Sequence, residues 1–169
     1  MNNNIINPTD LQLNDETVVQ IKRVSKATTG GRRMRFRCIV VVGDGKGHVG
    51  LGLGKANEVI SSISKAKDKA KRNIFKSTII NGTIPHKIVG RYGSSRVLLK
   101  PAAPGTGIIA GAPVRAVMEQ VGVSNILTKR YGSSNPMNIV RAAINALENL
   151  QDAVKIANKR GIKIKDVFT

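Results

Sequence analysis

Apolar and polar positions alternate along three stretches near the start of this chain, and then the period lengthens. Residues 17–25 are rich in Val and Ile and read as a strand. In residues 33–42, Met34, Phe36, Cys38 and Val40 take one set of alternate positions, and Arg33, Arg35 and Arg37 take the other. That pattern predicts a second strand with an apolar and a cationic face. Residues 27–32 between them read as a loop, and the Gly-Asp-Gly-Lys-Gly run at 43–47 as a turn. Residues 48–54 read as a third strand, with Gly50, Gly52 and Gly54 on one face. Three glycines there predict a helix packed close against them. From 56 to 74 the period becomes helical: Ala56, Val59, Ile60, Ile63, Ala66, Ala70 and Ile74 form one stripe.

The second half has its own pattern. Residues 77–90, with Asn81-Gly82 and Pro85, read as a connection and a domain boundary. Residues 96–100 read as a strand stopped by Pro101, and 113–121 as a helix with Pro at its start and Gly122 just past its end. A strand is predicted at 124–128. A helix is predicted from Pro136 to about Leu150, capped by Asn135 and striped by Met137, Val140, Ala143, Ile144, Leu147 and Leu150. A short helix at 152–159 ends near Gly161. The predicted fold class is α+β. A unit of three antiparallel strands plus a helix (16–80) precedes a small α/β two-layer sandwich (81–169) with a basic tail. The Asn-rich residues 1–15 are expected to be a disordered tail.

Charge narrows the function. The 169 residues carry 28 Lys and Arg against 10 Asp and Glu, a net charge of +18. Both halves share it, with 16 basic and 6 acidic groups in residues 1–90 and 12 and 4 in 91–169. Charge this far from zero repels itself in the folded state, so a polyanionic partner is expected. The densest run is Lys22, Arg23, Lys26, Arg32, Arg33, Arg35 and Arg37, with no acid among them and Thr-Thr-Gly-Gly in its middle. Basic residues flanking a glycine turn make a hairpin that offers positive charge to a phosphate backbone. Lys65, Lys69, Arg72 and Lys76 form a second stripe of one sign, either a solvated helix face or an RNA contact. Trp is absent and Phe and Tyr are few, so base stacking is a minor mode beside contacts to phosphate, sugar and helix shape.

The chemistry of an enzyme is hard to find. Gly45-Lys46-Gly47-His48-Val49-Gly50 matches G-x-G-x-x-G, but it joins strand to strand rather than strand to helix. Before Gly54-Lys55 a P-loop needs a glycine where Val49 stands, and after it Ser or Thr where Ala56 stands. The run from Pro104 to Gly111 precedes a helix. Its N–H groups suit an anion, a nucleotide or an RNA phosphate, and equally a structural turn. No Asp, Glu or His lies between His86 and Glu119 to serve a nucleotide-using enzyme there. His48 and His86 stand alone, and no Cys/His metal spacing exists. The single cysteine, Cys38, reads as a core residue, which fits a reducing compartment. Arg-Tyr-Gly-Ser-Ser occurs at 91–95 and 130–134, but the flanks do not match, so no duplication is inferred. No apolar run is long enough to span a membrane, and the first residues lack signal- or transit-peptide features. The chain is expected to be no enzyme and to have no cofactor, metal, membrane or small-molecule substrate.

Several segments in one order carry a resemblance. They are Arg23-Val24-Ser25-Lys26 with Gly30-Gly31-Arg32; Val41-Val42-Gly43-Asp44-Gly45; Val49-Gly50 with Gly54-Lys55-Ala56; Asn81-Gly82-Thr83; Gly105 to Gly111; and Tyr131-Gly132-Ser133 with Asn135-Pro136. From about Val18 onward the chain resembles the family of small-subunit ribosomal protein five, bacterial type. The resemblance implies a double-stranded-RNA-binding-like first half without its usual leading helix, and a second half like a domain of some nucleotide-using kinases. It implies a structural protein without turnover that binds small-subunit rRNA, supports subunit assembly and translational accuracy, and adjoins ribosomal proteins four and eight. It also implies mRNA nearby, on the path by which it enters, and a cytoplasmic, ribosomal location; an organelle-encoded copy fits the residues as well. On that basis Lys22, Arg23, Ser25, Lys26, Gly30, Gly31, Arg32, Arg33, Arg35 and Arg37, with Lys55, Lys65, Lys69 and Arg72, are expected to bind rRNA. Gly105, Thr106, Gly107 and Arg115 are expected to face a neighbouring protein. Ala27-Thr28-Thr29 departs from the family, which often carries another basic residue at the loop tip, and Tyr92-Gly93-Ser94 is also unusual.

Overall fold

A computed structural model describes residues 11–167 and divides the strands between two four-stranded sheets. In the first, β1 (Thr17–Thr28), β2 (Gly31–Gly43) and β3 (His48–Ala56) run antiparallel, and α1 (Val59–Arg72) crosses one face. The glycines of β3 make this packing possible. A β-carbon on Gly52 would lie 1.8 Å from the Ala66 carbonyl oxygen, and one on Gly54 would lie 1.9 Å from that of Ser62. The helix answers with small residues of its own: Ser62, Ala66 and Ala70, spaced by four, are its buried positions. Cys38, Val40 and Val42 of β2 close the same cluster, and burial pushes the Cys38 thiol up from its usual pKa.

Several boundaries differ from the sequence reading. The hairpin needs no loop over 27–32, because β1 and β2 stay paired to Thr28 and Gly31 and turn through Thr29-Gly30 alone. Gly31 takes φ +130°, and the Thr28 hydroxyl donates to its carbonyl. Helix α1 starts at Val59, since Ala56 still belongs to β3, and Ile60 is 81% exposed rather than in the core stripe. Ile74 ends no helix: Ile74–Lys76 is β4, a short edge strand pairing with His48–Gly50. At the start, residues 1–10 of the expected tail lie outside the described residues. Leu13 packs against the α1 cluster, Asn14 N–H donates to the Gly43 carbonyl, and Glu16 pairs with Lys67 of α1 at 2.6 Å.

The second sheet has the order β5-β6-β8-β7, from β5 (Ile88–Tyr92), β6 (Ser95–Pro101), β7 (Ile108–Ile109) and β8 (Ile126–Gly132). Residues 88–90 are thus strand rather than connection, and two residues of the glycine-rich loop add a short parallel strand. Asn81 (φ +50°) and Gly82 (φ +74°) make the tight turn bridged by Ile80 and Thr83. Helices α2 (Ala112–Val121) and α3 (Pro136–Glu148) begin with the expected prolines, and the Asn135 side chain accepts from Met137 N–H. Helix α4 (Ala153–Arg160) ends at Gly161, with φ +68°.

The two halves share one core. Val41 and Val49 of the first sheet cluster with Val97 and Leu99 of the second, Val117, Met118 and Val121 of α2, and Val140 and Leu147 of α3. Helix α2 lies against β1, β2 and β3 as well as α3 and β7. The turn after β2 grips its end: Gly45 N–H donates to the Gln120 carbonyl and Gly47 N–H to that of Val121.

Candidate nucleic-acid interface

Strand register sorts the hairpin cations between two faces. Residues paired directly across an antiparallel ladder point to the same side, about 5 Å apart. Lys22 pairs with Arg37, Arg37 with Lys55, Lys26 with Arg33, and Val24 with Arg35. Lys22, Lys26, Arg33, Arg35, Arg37 and Lys55 therefore share the face away from α1. Arg23, Ser25 and Arg32 project to the other side, with Met34 and Phe36. Of the residues expected to bind rRNA at the hairpin, Arg23 and Arg32 thus stand back to back with Lys26 and Arg33.

The hairpin is strongly electropositive. Like charges directly across a ladder repel, and here Lys22, Arg37 and Lys55 form a row across three strands. Among the described residues the ion pairs are Asp44 with His48 and Glu16 with Lys67, so no carboxylate offsets the hairpin cations. Arg35 and Arg37 each keep a buried Nε with no hydrogen-bond partner among the described residues. Gly30 and Gly31 at the tip have open space around them, and Met34 is 41% exposed although it lies on the predicted apolar face. Among the described residues nothing covers the outer part of the hairpin.

Lys55, Lys65, Lys69 and Arg72 line a second groove of about 300 Å³ with Leu53. It follows the edge of β3 beyond Gly50, where β4 stops pairing. Asp68 also lines it, so this stripe is not purely cationic, as the helical spacing had suggested.

Two glycine motifs resolve differently. In the Gly45-to-Gly50 motif the N–H groups of Gly45 and Gly47 serve α2 rather than a phosphate. The Asp44 carboxylate holds this turn, accepting from the N–H groups of Lys46 (2.7 Å) and His48 (3.0 Å) and meeting His48 Nδ1 at 2.5 Å. Burial works against its charge, yet these hydrogen bonds keep its pKa below the usual carboxylate range. In the second loop Gly105 and Gly107 take φ of +90° and +72°. Gly107 N–H donates to the Asn125 side chain, and Arg115 reaches back from α2 to donate to the Ile108 carbonyl at 2.8 Å. Gly105, Thr106 and Arg115 remain exposed, while Gly107 is half-buried.

One cationic surface escaped the sequence reading. Opposite the helices, register places Arg91, Arg96, Lys100 and Lys129 on the outer face of the second sheet, all exposed. The alternation of Arg96, Leu98 and Lys100 was the available signal. Among the described residues no group of three or more His, Cys, Asp or Glu is arranged to hold a metal, and no helix is long and apolar enough to cross a membrane.

Comparison with known proteins agrees with this architecture. Residues 14–76 match the family profile "Ribosomal protein S5, N-terminal domain", and residues 90–160 match "Ribosomal protein S5, C-terminal domain". The small ribosomal subunit protein uS5 of Thermotoga maritima is 54% identical over 154 residues, covering 91% of this chain and 86% of the relative. That of Salinibacter ruber is 54% identical over 153 residues, covering 90% and 87%. That of Chloroflexus aurantiacus is 49% identical over 163 residues, covering 96% and 91%. Both halves of the fold and nearly the whole length are thus accounted for, and the chain belongs to the ribosomal protein S5 family.

Proposed function

We propose that this chain is a structural constituent of the small ribosomal subunit on the cytoplasmic ribosome, where it binds rRNA and performs no turnover. The observation that carries this reading is the cationic face of the hairpin. Six Lys and Arg residues stand on one side of strands β1, β2 and β3 without a carboxylate among them. A row of like charges is stable beside a polyanion and costly without one. The groove along β3 and α1 gives the same RNA a second contact, through Lys55, Lys65, Lys69 and Arg72. Arg23, Ser25 and Arg32 meet RNA from the other side of the hairpin, and Gly30 and Gly31 let a backbone approach its tip.

The finer assignments belong to the same proposal. The loop of Gly105, Thr106 and Gly107, with Arg115 bonded to its Ile108 carbonyl, faces ribosomal protein four, and the chain also adjoins protein eight. From there it supports assembly and accuracy, near the path by which mRNA enters. Sucrose-gradient fractionation of native extract, probed for this chain at moderate and high salt, tests the reading. Co-migration with the small subunit at moderate salt is expected. A peak free of rRNA at both salts would overturn the ribosomal role and favour an RNA-duplex-binding module acting off the ribosome.

A further inference from the structure

A groove of about 440 Å³ runs between the two halves. One wall is the inner end of the cationic face, where Gln20 pairs with Ile39 and Lys22 with Arg37. The other wall is the loop from β8 into α3, residues 133–136 of the second half. Among the described residues, Lys22 and Arg37 are its only charged lining groups and no carboxylate lines it. Arg37 keeps its buried Nε without an acceptor among the described residues. A buried donor left unpaired costs free energy, so the arrangement lacks an acceptor. Across the groove the Ser133 hydroxyl accepts from Asn135 N–H, which leaves its own proton to donate, and the Ser134 side chain is exposed.

We propose that this groove seats one backbone phosphodiester of RNA, held by Lys22 and Arg37 from the first half and by the Ser133 and Ser134 hydroxyls from the second. The inference rests on the rRNA-binding reading above and adds to it a site built by both halves. The chemistry suits the ligand. Arg, Lys and Ser are customary donors to phosphate oxygens. A phosphodiester presents two non-bridging oxygens, one for each wall. Its charge relieves the repulsion between Lys22 and Arg37. Because the ligand touches both halves, RNA binding also tightens their docking.

The test is filter binding of the full chain to a full-length small-subunit rRNA transcript over a range of salt. Ser134→Glu puts a negative charge on the wall farthest in sequence from the hairpin. It is expected to weaken binding by about tenfold at low salt, an effect that fades as salt screens it. Ser134→Gln, of the same size as Glu, removes the hydroxyl without adding charge and is expected to weaken binding less than Ser134→Glu, with a loss that salt does not change. Gln151→Glu, of the same charge at an exposed site beyond α3, is expected to stay within about twofold, as a surface change away from the ligand. Lys22→Gln approaches from the opposite wall and is expected to flatten the salt slope by roughly 0.7–0.9 log units, the share of one phosphate. Combined with Ser134→Glu, its loss is expected to be other than the product of the two single effects, since both act on one ligand.

Equal losses from Ser134→Gln and Ser134→Glu would overturn the proposal, as would a Ser134→Glu protein that binds like wild type. Specific competition by inorganic phosphate, against chloride at equal ionic strength, would also overturn it, assigning the groove to the free ion. Lys26→Ala with Arg33→Ala, at the distal hairpin, separates the two levels. If that pair weakens binding while Ser134→Glu does not, the groove fails and the rRNA reading stands. If neither weakens binding, the rRNA reading itself fails.

Discussion

A single carboxylate fixes the turn that joins the two halves. Asp44 accepts from two backbone N–H groups and meets the His48 ring, so the following glycines present their own N–H groups to the last carbonyls of α2. Its pKa is lowered in the folded chain, so its contribution is fully present above the unfolded value of about 3.9 and is lost as pH falls through the folded value. Asp44→Asn is expected to cost roughly 1.5–3 kcal/mol at neutral pH, the range for hydrogen bonds to a charged group. The gap between wild type and variant is expected to close as pH falls below 4, because the wild-type carboxyl then protonates as well. Urea melts of both proteins at pH 7 and pH 3 check this; a gap that stays constant would remove the carboxylate's charge from the argument. The motif itself was plain in sequence. Its partner was not, because the carbonyls it binds lie about 75 residues further on.

The hairpin is the element on which the RNA reading turns. Its alternation was legible, since Arg33, Arg35 and Arg37 interleave with Met34, Phe36 and Cys38. Its length was not. Thr, Gly and Arg at 27–32 have the composition of a loop, yet the ladder carries through them to a two-residue turn. Cross-strand pairing overrides local preference there, and the turn then fixes which cations share a side. We expect Lys26→Ala with Arg33→Ala, from the uncovered face, to flatten the salt dependence of rRNA binding by about 1.4–1.8 log units, if each residue meets one phosphate. Arg23→Ala with Arg32→Ala, from the opposite side, is expected to flatten it less. Binding isotherms across a salt series distinguish them, and a larger effect from Arg23 and Arg32 would turn the RNA to the other face.

At the scale of the molecule, two units matched by separate family profiles pack around one core. Val41 and Val49 of the first sheet contribute to the cluster that holds α2 and α3. Two domains joined by a polar, flexible linker would unfold separately. Here α2 is packed against both units, and unfolding either one exposes it. A single calorimetric transition is expected for the whole chain. Met118→Ala, inside the shared cluster, is expected to destabilise that transition by roughly 2–5 kcal/mol without splitting it. Two resolved transitions in the wild type would show that the halves are thermally independent.

The sequence by itself determined the order of most elements, the caps at Asn135 and Gly122, and the close approach of a helix to Gly50, Gly52 and Gly54. It also determined the cationic character of the hairpin and the family. Each of these is written locally, in side-chain period, backbone freedom or charge. Only the tertiary structure decided that Arg23 and Arg32 turn away from Lys26 and Arg33, and that Ile60 stays in solvent. It alone added β4, β5 and β7, set α2 against both units, and brought Ser133 and Ser134 opposite Lys22 and Arg37. Strand register, edge pairing and docking depend on residues far apart in the chain, whose proximity no local pattern encodes.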